Sequence, residues 1–142
     1  MADIKHALTI NAPAGRVRSL VGSAAGFARW WAADSNEPKV DEAELGFFKR
    51  TTIYGLRLET RSAQEIVWRC ETGDEWNGTR LRFSIAENGD TTGLRFSHEA
   101  WASETDYFTN CNTTWGELMY RLKAVAEGKP VGPLFLADSL AY

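Results

Sequence analysis

The sequence has little that could form a covalent or metal framework. It contains only two cysteines, Cys70 and Cys111, and two histidines, His6 and His98. A structural zinc site needs three or four converging ligands at close spacings, and a disulfide framework needs more cysteines than this. We therefore expect no metal, no cofactor and two reduced, buried thiols.

Long apolar runs and an excess of positive charge are also absent. No uninterrupted apolar stretch reaches the roughly 18 residues of a membrane helix, and the first residues lack the charged-then-apolar order of a signal peptide. With a formal net charge of -3, the chain has no basic patch to neutralise nucleic-acid phosphates. These absences predict a cytoplasmic protein with no membrane span and no nucleic-acid partner.

Aromatic residues, in contrast, are abundant: the 142 residues include six Trp, seven Phe and four Tyr. Each such side chain buries about 150–250 Å², so these rings need either a large core or the wall of a cavity. A chain of this length can bury one sizeable core. No repeat, low-complexity stretch or linker divides it, so we expect a single domain over residues 1–142.

Hydrophobic periodicity predicts the order of the secondary structure. Residues 3–11 alternate as a half-buried strand; a short helix then ends near Gly22, and Ser23 can cap a second short helix. The acidic stretch from Asp34 to Gly46 indicates a loop with one ragged strand. A meander of strands follows over residues 47–54, 56–61, 65–71, 79–87 and 91–98.

One long helix is predicted after Trp101. Ser103 and Asp106 have the spacing of a capping box, and an amphipathic pattern continues to Glu127, where Gly128 can supply a left-handed cap. Its apolar stripe consists of Phe108, Cys111, Trp115, Leu118, Met119, Leu122 and Val125. The tail of residues 129–142 is too apolar to be a solvated end, so it should pack on its own domain or on a partner subunit.

This order of elements is of the α+β class. We predict a helix-grip fold, in which a curved antiparallel sheet wraps around the long C-terminal helix and two short helices follow the first strand. A strongly bent sheet does not close fully against a straight helix. Space should therefore remain between them, lined by aromatic side chains as many ligand sites are.

A resemblance to a known family covers nearly the whole chain and is strongest from Trp68 to Pro130. The residues concerned are Trp76 to Phe83, residues 92–96, His98, Trp101, Trp115, Leu118, Leu122, Lys123, Glu127 and Gly128. With them the chain resembles the START-like (SRPBCC) superfamily, and within it the branch homologous to the C-terminal domain of the heat-shock-protein-90 ATPase activator. The resemblance implies a deep hydrophobic cavity beneath the C-terminal helix. Members bind lipids, sterols, polyketides or other aromatics, and a minority are cyclases or other enzymes.

Two departures from that family bear on the cavity. Thr114 stands where the family often has Gly before the helix Trp, and Gly46 alone precedes Phe47 where the family often has a glycine pair. Both departures could reshape the pocket, so the identity of the ligand does not transfer.

The candidate ligand-binding residues are those expected to face the cavity. They are Trp30, Trp31, Tyr54, Trp68, Phe83, Phe96, His98, Cys111, Trp115 and Met119. His98 is either a polar anchor that polarises a ligand carbonyl or a structural histidine with a local hydrogen-bond partner. The tryptophans fit core packing as well as ligand contact, and no catalytic residue is assigned.

Three functions stay open at this stage. The first is binding of a small hydrophobic or aromatic molecule, such as a lipid, a polyketide or a similar metabolite. The second is an enzyme of the polyketide-cyclase or hydrolase type that uses His98 with a pocket water. The third is a chaperone-associated interaction domain. A homodimer formed through the apolar tail is compatible with all three.

Overall fold

A seven-stranded antiparallel sheet and three helices make up residues 2–139, the part of the chain that this computed structural model describes. The strands are β1 (Ala2–Ile10), β2 (Asp34–Asn36), β3 (Glu42–Phe47), β4 (Thr52–Arg61), β5 (Glu65–Cys70), β6 (Arg80–Asn88) and β7 (Thr91–Trp101). The helices are α1 (Ala14–Val21), α2 (Ala24–Trp30) and α3 (Asp106–Ala126).

The order of strands in the sheet is β1-β7-β6-β5-β4-β3-β2, so the first strand pairs with the last. Strands β2 to β7 follow one another as a meander. The long helix α3 buries one face against this curved sheet. The predicted α+β helix-grip class is therefore confirmed.

The two short helices form where the sequence predicts them. Helix α1 ends at Val21, before Gly22, and helix α2 begins after Ser23, whose hydroxyl accepts a hydrogen bond from the Gly26 amide at 3.0 Å. Both helices bury their apolar residues against the sheet side of the domain. They therefore cover part of the interior that α3 leaves open.

The acidic stretch predicted as a loop with one ragged strand contains two strands, β2 and β3. Ala43, Leu45 and Phe47 alternate as buried residues of β3, and arginines pair with acidic side chains of the segment. Arg50 binds Asp34 at 2.7 Å and also Glu44, while Arg57 binds Glu42 at 2.8 Å. Composition alone indicated a loop because these partners lie further along the chain.

The strand predicted over residues 47–54 is wrong, because a turn divides it. Phe47 ends β3, and Phe48, Lys49 and Arg50 all have left-handed backbones, with φ of 54°, 56° and 63°. Such turns usually contain Gly or Asn, so no ordinary signal marked this one. Gly55, predicted as a break, instead lies within β4 and pairs with Glu44.

Helix α3 has the predicted apolar stripe, and every residue of that stripe is buried. Its N-cap is Thr105, whose hydroxyl accepts a hydrogen bond from the Phe108 amide at 3.2 Å. The predicted cap at Ser103 is thus wrong by two residues. Gly128 has the left-handed backbone expected of it, with φ of 85°. Of residues 2–139, no helix combines the length and apolar character needed to cross a bilayer.

The tail packs on its own domain as far as Phe135, and Ser139 is the last described residue. Leu134 and Phe135 donate backbone hydrogen bonds to the carbonyls of Trp30 and Trp31, at 3.1 and 2.9 Å. The Arg121 guanidinium binds the Gly132 carbonyl at 3.0 Å. Leu140 and Tyr142, which contributed to the predicted apolar character of the tail, lie outside the described residues.

Candidate functional site

The space expected beneath α3 is filled by side chains around His98. His98 is fully buried, and both of its ring nitrogens have partners. Nε2 lies 2.8 Å from the Thr79 hydroxyl, and the Trp115 indole N–H donates to Nδ1 at 3.1 Å. The Thr79 hydroxyl in turn donates to the Trp76 carbonyl. This is the arrangement of a structural histidine.

The contacts of His98 also fix its charge. Because the Trp115 indole is only a donor, Nδ1 must be unprotonated, and Nε2–H donates to Thr79. Burial lowers the pKa of His98 to about 3, so the ring is neutral at physiological pH. A fully buried imidazole with both nitrogens engaged has no atom available to a ligand. His98 was predicted as a polar anchor or as a catalyst. The geometry supports neither role.

Five more of the predicted residues lie in the same interior. They are Trp30, Trp68, Phe83, Phe96 and Met119, each no more than 2% exposed. The indoles of Trp30 and Trp68 donate to the carbonyls of Leu20 and Val21, at 2.8 and 2.9 Å, which ties α2 and the sheet to α1. We call these five residues and His98 the packed centre. They face inward as predicted, but none of them lines the large cleft beside them.

An open cleft of about 820 Å³ lies beside the packed centre. It is bounded by the N-terminal half of α3, the β3–β4 turn (residues 48–51), the start of β4, the β5–β6 loop (residues 71–79) and the tail. Four of the predicted residues line it: Trp31, Tyr54, Cys111 and Trp115. The family resemblance implied a deep cavity under the helix, whereas this cleft opens at one end of the helix.

Residues that the sequence analysis missed form most of the cleft wall. They are Phe47, Phe48, Thr51, Thr52, Ile53, Gly73, Asp74, Glu75, Trp76, Tyr107, Asn110, Thr113, Thr114, Leu118 and Phe135. A signal existed for Tyr107, which precedes Cys111 by one helical turn and so shares its face. None existed for Phe48 or Phe135, because a turn and a tail carry no periodicity.

Stacked rings connect the cleft to the packed centre. Tyr54 lies flat on Trp76, with ring centroids 4.0 Å apart and planes 6° apart. Trp76 is nearly parallel to Trp115 at 6.2 Å, and Trp115 is 5.0 Å from Trp31. The edge of Trp76 meets His98 at 4.7 Å. One side of this array therefore faces the cleft and the other faces the interior.

The polar groups of the cleft wall are mostly uncharged. The hydroxyls of Tyr54 and Tyr107 share a hydrogen bond, and burial raises the pKa of both phenols. Burial also raises the pKa of the Cys111 thiol. The Trp76 indole and the Tyr107 hydroxyl weaken that effect, although the Trp76 N–H lacks the geometry of a full hydrogen bond. All three groups keep their protons at neutral pH.

Neither cysteine is activated for thiol chemistry, and the described residues form no metal-binding group. Cys70 and Cys111 are both free and buried, and burial raises the pKa of Cys70 to about 12. The thiolate, which is the nucleophilic form, is therefore suppressed. Within residues 2–139 no group of three or more His, Cys, Asp and Glu side chains is placed to hold a metal ion.

No protein-family model matches the chain, and no curated protein matches it in sequence. Solved structures do match it in fold. The solution structure of the Aha1 dimer from Colwellia psychrerythraea has a TM-score of 0.78 and 23% identity, covering 92% of this chain and 100% of that one. An uncharacterised protein from Bacillus thuringiensis has a TM-score of 0.72 and 12% identity over 88% of this chain and 98% of its own.

A third similar structure is DynU16, a protein of the dynemicin biosynthetic locus, with a TM-score of 0.69 and 11% identity over 90% of this chain and 48% of its own. At these identities the likeness establishes the fold. The chain shares the helix-grip fold of these structures.

Proposed function

We propose that this protein binds a small hydrophobic or aromatic molecule in the cleft between the N-terminal half of α3, the β3–β4 turn and the β5–β6 loop. The observation that carries the proposal is the open volume of about 820 Å³ walled by aromatic rings. A volume of this size is typical of pockets for small ligands, which combine apolar walls with a few polar groups.

The wall supplies both of these components. Phe48, Tyr54 and Tyr107 remain partly exposed in a domain that buries most of its other rings. Covering such surface with a ligand yields roughly 25 cal/mol per Å² of apolar area. The phenol hydroxyls of Tyr54 and Tyr107 and the side chains of Thr114 and Asn110 offer hydrogen bonds at the same place. A guest with one ring and one or two polar atoms would satisfy both.

A thermal-shift screen with lipids and aromatic metabolites tests the proposal. A ligand at 100 times its dissociation constant adds about 2.7 kcal/mol to the free energy of unfolding. Thr114→Trp places a large ring in the cleft and should abolish the shift. Asn112→Trp, on the exposed side of the same helix, should retain it. Absence of a shift with every apolar class, or equal shifts in both variants, contradicts binding in this cleft.

A second candidate, pairing of two copies of the chain, is favoured by two observations. The similar structure from Colwellia psychrerythraea is that of a dimer, and the tail of this chain exposes Val131 (43%) and Leu136 (53%). Sedimentation velocity of the full chain and of Leu136→Asp would test it. A monomer at all concentrations for both would reject pairing through the tail.

The chaperone-associated role stays a hypothesis, because likeness to the Aha1 structure at 23% identity concerns the fold. The enzyme alternative was assigned to His98, whose two ring nitrogens are both engaged by Thr79 and Trp115.

A further inference from the structure

The charged groups of the cleft are of one sign. Among the described residues that line it, Asp74 and Glu75 carry formal charge, and none is Lys, Arg or His. Both carboxylates belong to the β5–β6 loop, where Asp74 is exposed and Glu75 is partly buried. Glu75 accepts a hydrogen bond from the Thr105 hydroxyl at 2.6 Å, which holds its carboxylate beside the start of α3.

Cations of the neighbouring turn and helix do not offset these charges. Arg50 follows the lining residue Phe48 in the β3–β4 turn, but its guanidinium is bound by Asp34 and Glu44. Lys49 is exposed and does not line the cleft. Arg121, on α3, donates to carbonyls of the tail. Among the described lining residues, an anionic guest would therefore meet two carboxylates and no cation.

The field of the two carboxylates extends into the cleft. The negative charge of Asp74 contributes to raising the pKa of Tyr54, and that of Glu75 contributes to raising the pKa of Cys111. Both effects are secondary to burial. They nevertheless place each carboxylate within electrostatic range of a group on the wall.

The aromatic wall favours the same sign of ligand charge. The faces of Trp, Tyr and Phe rings attract cations, worth about 0.5–1 kcal/mol at exposed sites and more where water is excluded. Tyr54 and Tyr107 line the cleft together with the two carboxylates. Rings together with carboxylates are the groups that a ligand ammonium pairs with.

We propose that the ligand of this cleft is an amine, cationic at neutral pH and attached to an aromatic or apolar body, and that fatty acids and other anions are excluded. The inference rests on the proposed function, because it specifies the charge of a guest in that same cleft. Asp74 and Glu75 face the ammonium group, and the ring array holds the apolar body.

Three probes with the same ring and different charge test this inference by calorimetry. They are 2-naphthylmethylamine, 2-naphthylmethanol and 2-naphthoate. We expect the amine to bind roughly tenfold more tightly than the alcohol, on the scale of a cation–π contact and a partly exposed ion pair, and the naphthoate to bind most weakly. Of the three probes, only the amine should bind more weakly when salt is added, because salt screens exposed charges.

A matched pair of double variants locates the effect. D74N/E75Q removes both carboxylates, while the amide introduced by E75Q keeps an oxygen for the Thr105 hydroxyl. E87Q/D90N removes the same charge from the exposed β6–β7 hairpin, at the opposite end of β6. The amine should lose its advantage over the alcohol in the first variant and keep it in the second.

The outcomes separate the two proposals. If naphthoate binds as well as the amine, or if the preference for the amine survives in D74N/E75Q, the charge inference is overturned while small-molecule binding stands. If none of the three probes binds, the charge inference is overturned, and small-molecule binding in the cleft is rejected when the thermal-shift screen is also negative for every apolar class.

Discussion

The packed centre and the cleft are made of the same kinds of residue but differ in what closes over them. In the packed centre, α1 and α2 lie over the sheet, and the indoles of Trp30 and Trp68 donate to carbonyls of α1. In the cleft the cover consists of a turn, a loop and the tail, which leave about 820 Å³ open. Aromatic content thus marks an interior, and the covering segments decide whether that interior is a core or a pocket.

Removing a ring should destabilise the protein much more in the packed centre than at the cleft, and this is the largest effect that we expect. Trp30→Ala should lower the free energy of unfolding by about 3–5 kcal/mol, because it deletes a fully buried indole from a close-packed interior. Phe48→Ala, at the half-buried rim of the cleft, should cost only about 1 kcal/mol of lost apolar burial. Urea unfolding measures both. Equal losses would mean that the cleft rim is as tightly packed as the centre.

The buried His98 of the packed centre should make the free energy of unfolding depend on pH. Native His98 stays neutral down to a pKa of about 3, whereas in the unfolded chain it takes a proton below about pH 6.5. Protons therefore favour the unfolded state in this window, and stability falls as pH falls. The loss approaches about 1.4 kcal/mol per pH unit for this one group, or about 2–3 kcal/mol between about pH 6 and 4.

His98→Gln provides the control for that prediction. The variant should be less stable at neutral pH, because the partners of both ring nitrogens are disturbed, but its stability should change less between about pH 6 and 4. The difference between the two urea-unfolding series isolates His98 from the carboxylates. Identical slopes would show that the ring is not sealed in the native state.

A smaller effect should appear where the tail joins the cleft wall. Phe135→Ala should cost about 2 kcal/mol, below the range for a fully enclosed ring, since Phe135 borders open space. Leu136→Ala, at a position 53% exposed, should change stability by no more than about 0.5 kcal/mol. Thermal unfolding of the two variants measures the difference. If neither variant loses stability, the tail does not contribute to the wall in solution.

The smallest effect concerns the start of α3, which forms one side of the cleft. Thr105→Ala should cost about 1 kcal/mol, the usual loss for an N-cap hydroxyl. Ser103→Ala should cost no more than about 0.5 kcal/mol, although Ser103 has the capping spacing in the sequence. If urea unfolding shows a larger loss for Ser103→Ala than for Thr105→Ala, Ser103 is the N-cap, as the sequence pattern predicted.

The sequence predicted the fold well because its patterns are regular where the elements are regular. The alternation of β6 and β7 and the stripe of α3 each recur over many residues, so single exceptions do not obscure them. The same patterns placed His98 and Phe83 on the inward face, where they lie. Periodicity gives the direction of a side chain and carries no information on the space in front of it.

The cleft was harder to predict because irregular segments build it. Trp76 reaches the wall from a loop in which Gly73 has a φ of 98°, and Phe48 from a turn made of three left-handed residues. Phe135 arrives from the tail, held by backbone hydrogen bonds to Trp30 and Trp31. Positions of this kind depend on long-range contacts, which no local spacing reveals.

The ring array has an optical consequence. Trp31, Trp76 and Trp115 lie with ring centroids 5.0 to 6.2 Å apart, close enough for their excited states to interact. Because all three also border the cleft, an arriving guest would alter their emission and near-ultraviolet circular dichroism. The protein thus carries a built-in spectroscopic reporter of occupancy that needs no added label.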